Sequence, residues 1–221
     1  MEEGLIEYLT QFITKERLHL FNQIINHRTR YFTVVLEDIY QPHNASAVMR
    51  SCDGFGIQDV HIIENNNTYN DNPEVSLGSS KWLSLYKYHN NENNTISAIN
   101  HLKEKGYRIV ATAPVIEGVP LEEFNILNGK AAFLFGTELT GLSQQAFEHS
   151  DEKLAIPMYG FSESFNISVS VALVLHYVSH SLRNADINWH LTEGEKKEIM
   201  LQWLKSSIKS ADHIEKYYLN K

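Results

Sequence analysis

Apolar residues recur at helical intervals from the start of the chain. Leu5, Ile6, Leu9, Phe12, Ile13, Phe21, Ile24 and Ile25 predict one or two amphipathic helices over residues 3 to 27. The period then shortens. Tyr31 to Glu37 (YFTVVLE) is rich in β-branched and aromatic residues and predicts a first strand, ended by Asp38 to Gln41 with Pro42 marking a turn. Asn44 or Ser46 offers a cap for a helix from Ala45 to Phe55, closed by Gly54 and Gly56, and Val60 to Ile63 reads as a second strand. The polar, turn-rich stretch Glu64 to Ser80 predicts a long loop. Trp82 to Tyr88 is a short strand, Thr95 to Lys105 a helix closed by Gly106, and Arg108 to Ala113 a strand stopped by Pro114. Ala131 to Phe135 (AAFLF) has the continuous apolar character of a strand buried on both faces. Leu142 to Glu148 follows as a helical turn or two, and Lys153 to Ile156 as the last strand. Strands alternating with helices predict a mostly parallel α/β sheet with helices on both faces.

The run from Ile156 to Tyr177 (IPMYGFSESFNISVSVALVLHY) organises the rest of the core. Pro157 and Gly160 end the strand and open a loop. Ser162, Ser164 and Asn166 each offer a helix cap, and Val171, Val174, Leu175, Val178 and Leu182 continue at helical spacing. The alternation from Ile167 to Val171 suits a strand as well, but the segment is too long for one. The first turn of such a helix carries free N–H donors suited to a polar ligand. Beyond Arg183 a polar break leads to Thr192 and Glu195, a capping-box pair opening a C-terminal helix. Its stripe of Ile199, Trp203, Leu204, Ile208, Ala211, Ile214 and Tyr218 requires a partner, either the core or a second subunit. The division that follows is a helical extension over 1–30, a core over 31–183 and a second helical extension over 184–221.

Composition narrows the setting. With 221 residues and 43% hydrophobic content the chain can bury a full core. The single Cys52 excludes an internal disulfide, the first residues show no secretory pattern, and no apolar run reaches membrane-spanning length, so a cytoplasmic protein is expected. A net charge of −8 sits awkwardly with nucleic-acid binding, although the clusters His27/Arg28/Arg30, Lys15/Arg17 and Lys103/Lys105/Arg108 are candidate phosphate contacts. The turn Asp53 to Gly56 is not a dinucleotide loop, because its glycines end a helix and precede a strand. His176 and His180 have a metal-like spacing but no third ligand, and no metal is expected.

Three ordered stretches, Asn44 to Arg50 (NASAVMR), Phe135 to Leu142 (FGTELTGL) and the Ile156 to Tyr177 run, resemble the three signature motifs of the SpoU family of RNA ribose 2′-O-methyltransferases in the SPOUT superfamily. The resemblance extends from about Thr33 to Arg183, and VLEDIYQPHNASAVMRSCDGFGIQDV is similar to TrmH-type tRNA guanosine methyltransferases. It implies a C-terminal deep trefoil knot, which pattern reasoning alone never proposes. It also implies S-adenosyl-L-methionine as methyl donor and the ribose 2′-OH of a guanosine in tRNA, in the D loop, as acceptor, without DNA. A homodimer with the C-terminal helices at its interface is implied as well. Residue by residue, Thr112, Gly136, Ile156 and Phe165 match donor-binding positions, with Phe165 standing where the family carries Leu. Arg50 matches the catalytic arginine, Asn44 a position that orients it, Glu138 a residue that pairs an arginine or holds the donor's amino end, and Ser164 and Asn166 polar groups near the target ribose. A guanidinium is too basic to accept a proton near neutrality, so Arg50 is expected to act as a phosphate and transition-state clamp. The alternatives are an rRNA or another tRNA nucleotide as target, or a non-catalytic RNA-binding protein of the same fold.

Overall fold

The computed structural model describes residues 2–69, 76, 78–113, 118–137 and 140–220. The chain divides into two compact units, one of residues 30–189 and one that joins 1–29 to 190–221.

The larger unit is built on seven parallel strands: β1 (Phe32–Glu37), β2 (Asp59–Ile63), β3 (Ser84–Tyr88), β4 (Arg108–Thr112), β5 (Val119–Pro120), β6 (Ala131–Phe135) and β7 (Glu152–Ala155). Their order across the sheet is β3-β2-β1-β6-β4-β7-β5. Every pairing is parallel, as with Val34 opposite Val60 and Phe133. The continuous apolar runs follow from burial on both faces. Phe32, Val34, Leu36, Val110, Phe133 and Phe135 point to one face, where they pack with Val48, Met49 and Cys52 of α3 (Pro42–Phe55) and Val171, Val174, Leu175, Val178 and Leu182 of α6 (Ile167–Asn184). Val35, Ile109, Ala111, Ala132 and Leu134 point to the other, against Ala98, Ile99 and Leu102 of α4 (Asn94–Glu104) and Ala146 of α5 (Gln144–Glu148).

Two local expectations are corrected. Pro42 begins α3 instead of ending a turn, because its fixed φ and missing N–H suit the first helical position. Asn44 and Ser46 therefore lie inside the helix, buried, and cap nothing. Gly56 does close the helix, in the left-handed region at φ 79°. Pro114 and much of the Glu64 to Ser80 loop lie outside the described residues.

The smaller unit holds α1 (Glu2–Thr10), α2 (Lys15–Ile24), α7 (Glu193–Ser207) and α8 (Ala211–Leu219). Thr192 and Glu195 form the anticipated capping box. The single C-terminal helix is instead two, broken where Ser210 takes φ 61°. Its apolar stripe finds its partner within the chain: Trp203 meets Phe21 edge-on at 5.4 Å, and Tyr218 stacks on Tyr8 at 5.0 Å.

Candidate active site

Parallel strands bring their C-terminal ends to one edge, and the loops leaving that edge carry the three sequence motifs. The first motif lies on α3 and the third opens α6, and one pair of side chains joins them. Asn166 caps α6, its Oδ1 accepting from the backbone N–H of Ser168 at 2.8 Å and from Ser168 Oγ at 2.6 Å. Its Nδ2 donates to Asn44 Oδ1 at 3.0 Å, and Asn44 Nδ2 donates to Gln41 Oε1 at 3.2 Å. Asn44 is 3% exposed. It ties the start of α3 to the start of α6.

Arg50 is exposed six residues further along α3, about 9 Å up the axis and about 120° around it. Among the described residues nothing forms a hydrogen bond or ion pair with its guanidinium. It is thus a cation available to an anionic ligand. Ser164 and Phe165 are also exposed, on the loop entering α6. Glu138 lies outside the described residues.

Thr112, Gly136 and Ile156 stand at the ends of the adjacent strands β4, β6 and β7. Thr112 Oγ1 donates to the carbonyl of Leu134 at 2.8 Å, tying β4 to β6 just before the edge. After β6 the chain turns back on itself, with Thr137 and Gly141 exchanging two backbone hydrogen bonds of 3.0 Å. That return presses the main chain of Gly141 and Leu142 against Gly136, where a Cβ would collide with it. Gly136 is required there by crowding, and across the edge the strand end of Thr112 lies between it and the half-buried Ile156.

Arg28, Arg30, Lys103 and Arg108 of the expected basic clusters are engaged within the fold. Arg28 is 2% exposed and lies over the Trp203 ring, 5.4 Å from its centroid. Arg30 pairs with Asp59 at 3.0 Å, Lys103 with Asp151 at 2.9 Å, and Arg108 with Glu152. Lys15, Arg17 and Lys105 remain exposed. His176 and His180 stack at 6.5 Å, and among the described residues no group of three or more potential ligands could hold a metal ion. No described helix is long and apolar enough to cross a membrane.

Two acidic residues at the end of β1 were not foreseen as part of the site. Glu37 is 3% exposed, and its carboxylate accepts from Thr95 Oγ1 at 2.5 Å, Ser143 Oγ at 2.8 Å and Ser143 N at 2.8 Å, holding the far end of the second motif. Asp38, at φ 53°, accepts from the backbone N–H groups of Asn65, Asn66 and Asn67 at 2.7, 2.7 and 3.2 Å and from Asn66 Nδ2 at 3.0 Å. Consecutive carboxylates closing an otherwise apolar strand were the available signal.

The fold defines a parallel α/β protein whose three motifs gather at the carboxyl ends of its strands. Residues 31–176 match the model of the SpoU rRNA Methylase family, and the chain belongs to that family. It is 44% identical over 210 residues, 95% of its length, to the tRNA (guanosine(18)-2′-O)-methyltransferase of Borreliella burgdorferi, of which 94% is covered. Among solved structures it resembles the A. aeolicus TrmH/SpoU tRNA modifying enzyme, with a TM-score of 0.77 at 27% identity over 88% of this chain and 98% of that one. It shares its fold with the AviRb methyltransferase of Streptomyces viridochromogenes, solved in complex with the cofactor AdoMet, at a TM-score of 0.61 and 19% identity over 74% and 65% of the two chains.

Proposed function

We propose that the protein methylates the ribose 2′-OH of the guanosine at position 18, in the D loop of tRNA, with S-adenosyl-L-methionine as donor. The observation that carries this reading is the joining of the first and third motifs through Asn44 and Asn166, with an exposed Arg50 further along the same helix, in a chain 44% identical to an enzyme named for that reaction. When bound, S-adenosyl-L-methionine supplies the methyl group that becomes attached to the ribose oxygen as its bond to sulfonium sulfur breaks. Thr112, Gly136, Ile156 and Phe165 would hold it at the ends of β4, β6 and β7, mostly through main-chain groups, which is why Phe165 is tolerated in place of Leu. Arg50 grips an RNA phosphate and draws the ribose into line, Glu138 takes the role of pairing an arginine or holding the donor's amino end, and Ser164 and Asn166 fix the ribose hydroxyl as its proton passes to solvent. Positioning carries most of the acceleration.

Residues 31–183 form the methyltransferase core, and 156–184 thread a trefoil knot. Three contacts support the knot. The chain between β4 and β6 passes beyond β7 to form β5, with Gly118 packed on the main chain of Ala155 at 2.9 Å for an added Cβ. It then returns over α6, where Leu121, Phe124 and Ile126 share a core with Val174 and Val178. Tyr177 OH donates to the carbonyl of Glu122 at 2.7 Å.

The active form is a homodimer, and α6 offers an uncharged face for its interface. From Ser164 to Leu182 the sequence carries no Lys, Arg, Asp or Glu, and Val169 and Leu173 are 43% and 38% exposed there. A cytoplasmic location fits an RNA substrate and a chain whose single cysteine, Cys52, is buried. Incubation with labelled donor and parallel samples of unmodified tRNA and rRNA tests the reading: label on tRNA is expected, and label confined to rRNA would overturn the substrate.

A further inference from the structure

The sheet order places β1 beside β6, and the chain leaves these neighbours in opposite directions, from β1 to β2 and from β6 to β7. The crevice outside such a pair of strand ends is where α/β sheets bind ligands. Here it is a cleft of about 280 Å³ whose walls include Asp38, Asn66, Asn67, Thr137, Thr140 and Ser143. Among the described residues, Thr112, Gly136, Ile156 and Phe165 do not line it, and the loop after β6 is shared with that site.

Its walls are held by the two buried carboxylates. Glu37 fixes Ser143 on one side, and Asp38 gathers Asn65, Asn66 and Asn67 on the other. This second clamp also sets the side-chain amides. Asn66 Nδ2 donates to Asp38 Oδ2 at 3.0 Å, and Asn67 Nδ2 donates to the Asp38 carbonyl at 2.9 Å. Because only an NH2 group can donate to those oxygens, both amide carbonyls are fixed as acceptors. Among the described residues neither Asn66 Oδ1 nor Asn67 Oδ1 receives a hydrogen bond. In the lining of the same cleft, the Thr137 and Thr140 hydroxyls lie 2.8 Å apart and share one hydrogen, which leaves the other hydroxyl hydrogen to donate.

Two fixed acceptors and one donor match the Watson–Crick edge of guanine, whose N1–H and N2–H2 donate and whose O6 accepts. Adenine and the pyrimidines present no such adjacent pair of donors beside an acceptor. We propose that this cleft seats the base of the target nucleotide and that Asn66 and Asn67, with a Thr137/Thr140 hydroxyl, select guanine. The inference rests on the RNA methyltransferase reading and adds the groups that choose the base.

The test compares tRNA transcripts carrying guanosine or inosine at the target position, since inosine lacks only the N2 amino group. The unaltered protein should favour guanosine by about tenfold or more in kcat/KM, the size of one good base contact. Asn66→Ala should lower kcat/KM for the guanosine transcript by about tenfold and shrink the guanosine preference to within about threefold, with the Kd for S-adenosyl-L-methionine held within about twofold. Thr140→Val provides a second variant that leaves the Asp38 clamp whole, and it should lower kcat/KM for both transcripts alike through the lost contact to O6. Donor binding by each variant also reports that it has folded. An unchanged preference in Asn66→Ala, or a loss of donor affinity in step with activity, would overturn the inference. Absence of transfer to either transcript by the unaltered protein would instead overturn the underlying functional reading, and this inference with it.

Discussion

Asp38 offers the most direct check on the physical reasoning, because one buried carboxylate gathers Asn65, Asn66 and Asn67 and its residue also takes a backbone conformation that side chains rarely adopt. Its four accepted hydrogen bonds would total roughly 6 to 12 kcal/mol at about 1.5 to 3 kcal/mol for each bond to a charged group. Most of that sum is not lost on substitution. Asn65 and Asn66 are exposed, so water can reach their freed N–H groups, and a net loss of about 3 kcal/mol is expected for Asp38→Ala. Asp38→Asn keeps an acceptor oxygen and tolerates the left-handed region, and should cost about 1 to 2 kcal/mol. Asp38→Gly loses the same bonds as Ala but accepts φ 53° without strain, and should be more stable than Ala by roughly 1 kcal/mol. Urea unfolding followed by tryptophan fluorescence resolves the series, with a midpoint shift of about 1.5 M for Ala at a slope of about 2 kcal/mol/M. An Ala variant within about 0.5 kcal/mol of the unaltered protein would refute the clamp. Equal stabilities for Ala and Gly would refute the assignment of strain.

Four other outcomes follow from particular contacts. Gly136→Ala drives a methyl group into the main chain of Gly141 and Leu142, and should destabilise the protein by at least about 2 kcal/mol and abolish donor binding in calorimetry. Arg50→Ala removes an exposed side chain that makes no hydrogen bond or ion pair among the described residues, so donor affinity and melting temperature should stay unchanged while turnover disappears; an active variant would remove Arg50 from the mechanism. Leu173→Glu places a charge on the uncharged face of α6 and should convert a dimer to a monomer in sedimentation. His61, buried and beside His101, has its pKa pushed down to about 3. It stays neutral in the fold but takes up a proton near 6.5 when unfolded, so its full contribution is present above pH 6.5 and lost progressively down to about 3. Stability should fall by about 2 kcal/mol between pH 7 and 5, at up to 1.36 kcal/mol per unit, and His61→Phe should remove that part of the slope in pH-dependent unfolding.

What could be read in the sequence was what local pattern determines. The strand AAFLF, the capping box at Thr192 and the apolar face of α6 declared themselves through period and caps, and the helix begun by Asn166 lies where its Ser/Asn-rich approach indicates. Asn44 was misread as a cap because a good capping residue and a proline at the first helical position compete for one helix start, and nothing local shows that Gln41 is the flanking residue. The break at Ser210 had no signal, since neither glycine nor proline marks it. Arg28 and Arg30 read as surface charge because their partners, Trp203 and Asp59, are remote in sequence. The same holds for Glu37 and Asp38, whose work is done entirely through residues 27 to 106 positions away.

The central claim is tested most directly by transferring a tritiated methyl group from S-adenosyl-L-methionine to bulk unmodified tRNA, digesting the product to nucleosides and identifying the labelled one. The account predicts 2′-O-methylguanosine as the labelled nucleoside. Label in a base-methylated nucleoside or in another 2′-O-methylated one, or none in tRNA at all, would contradict it.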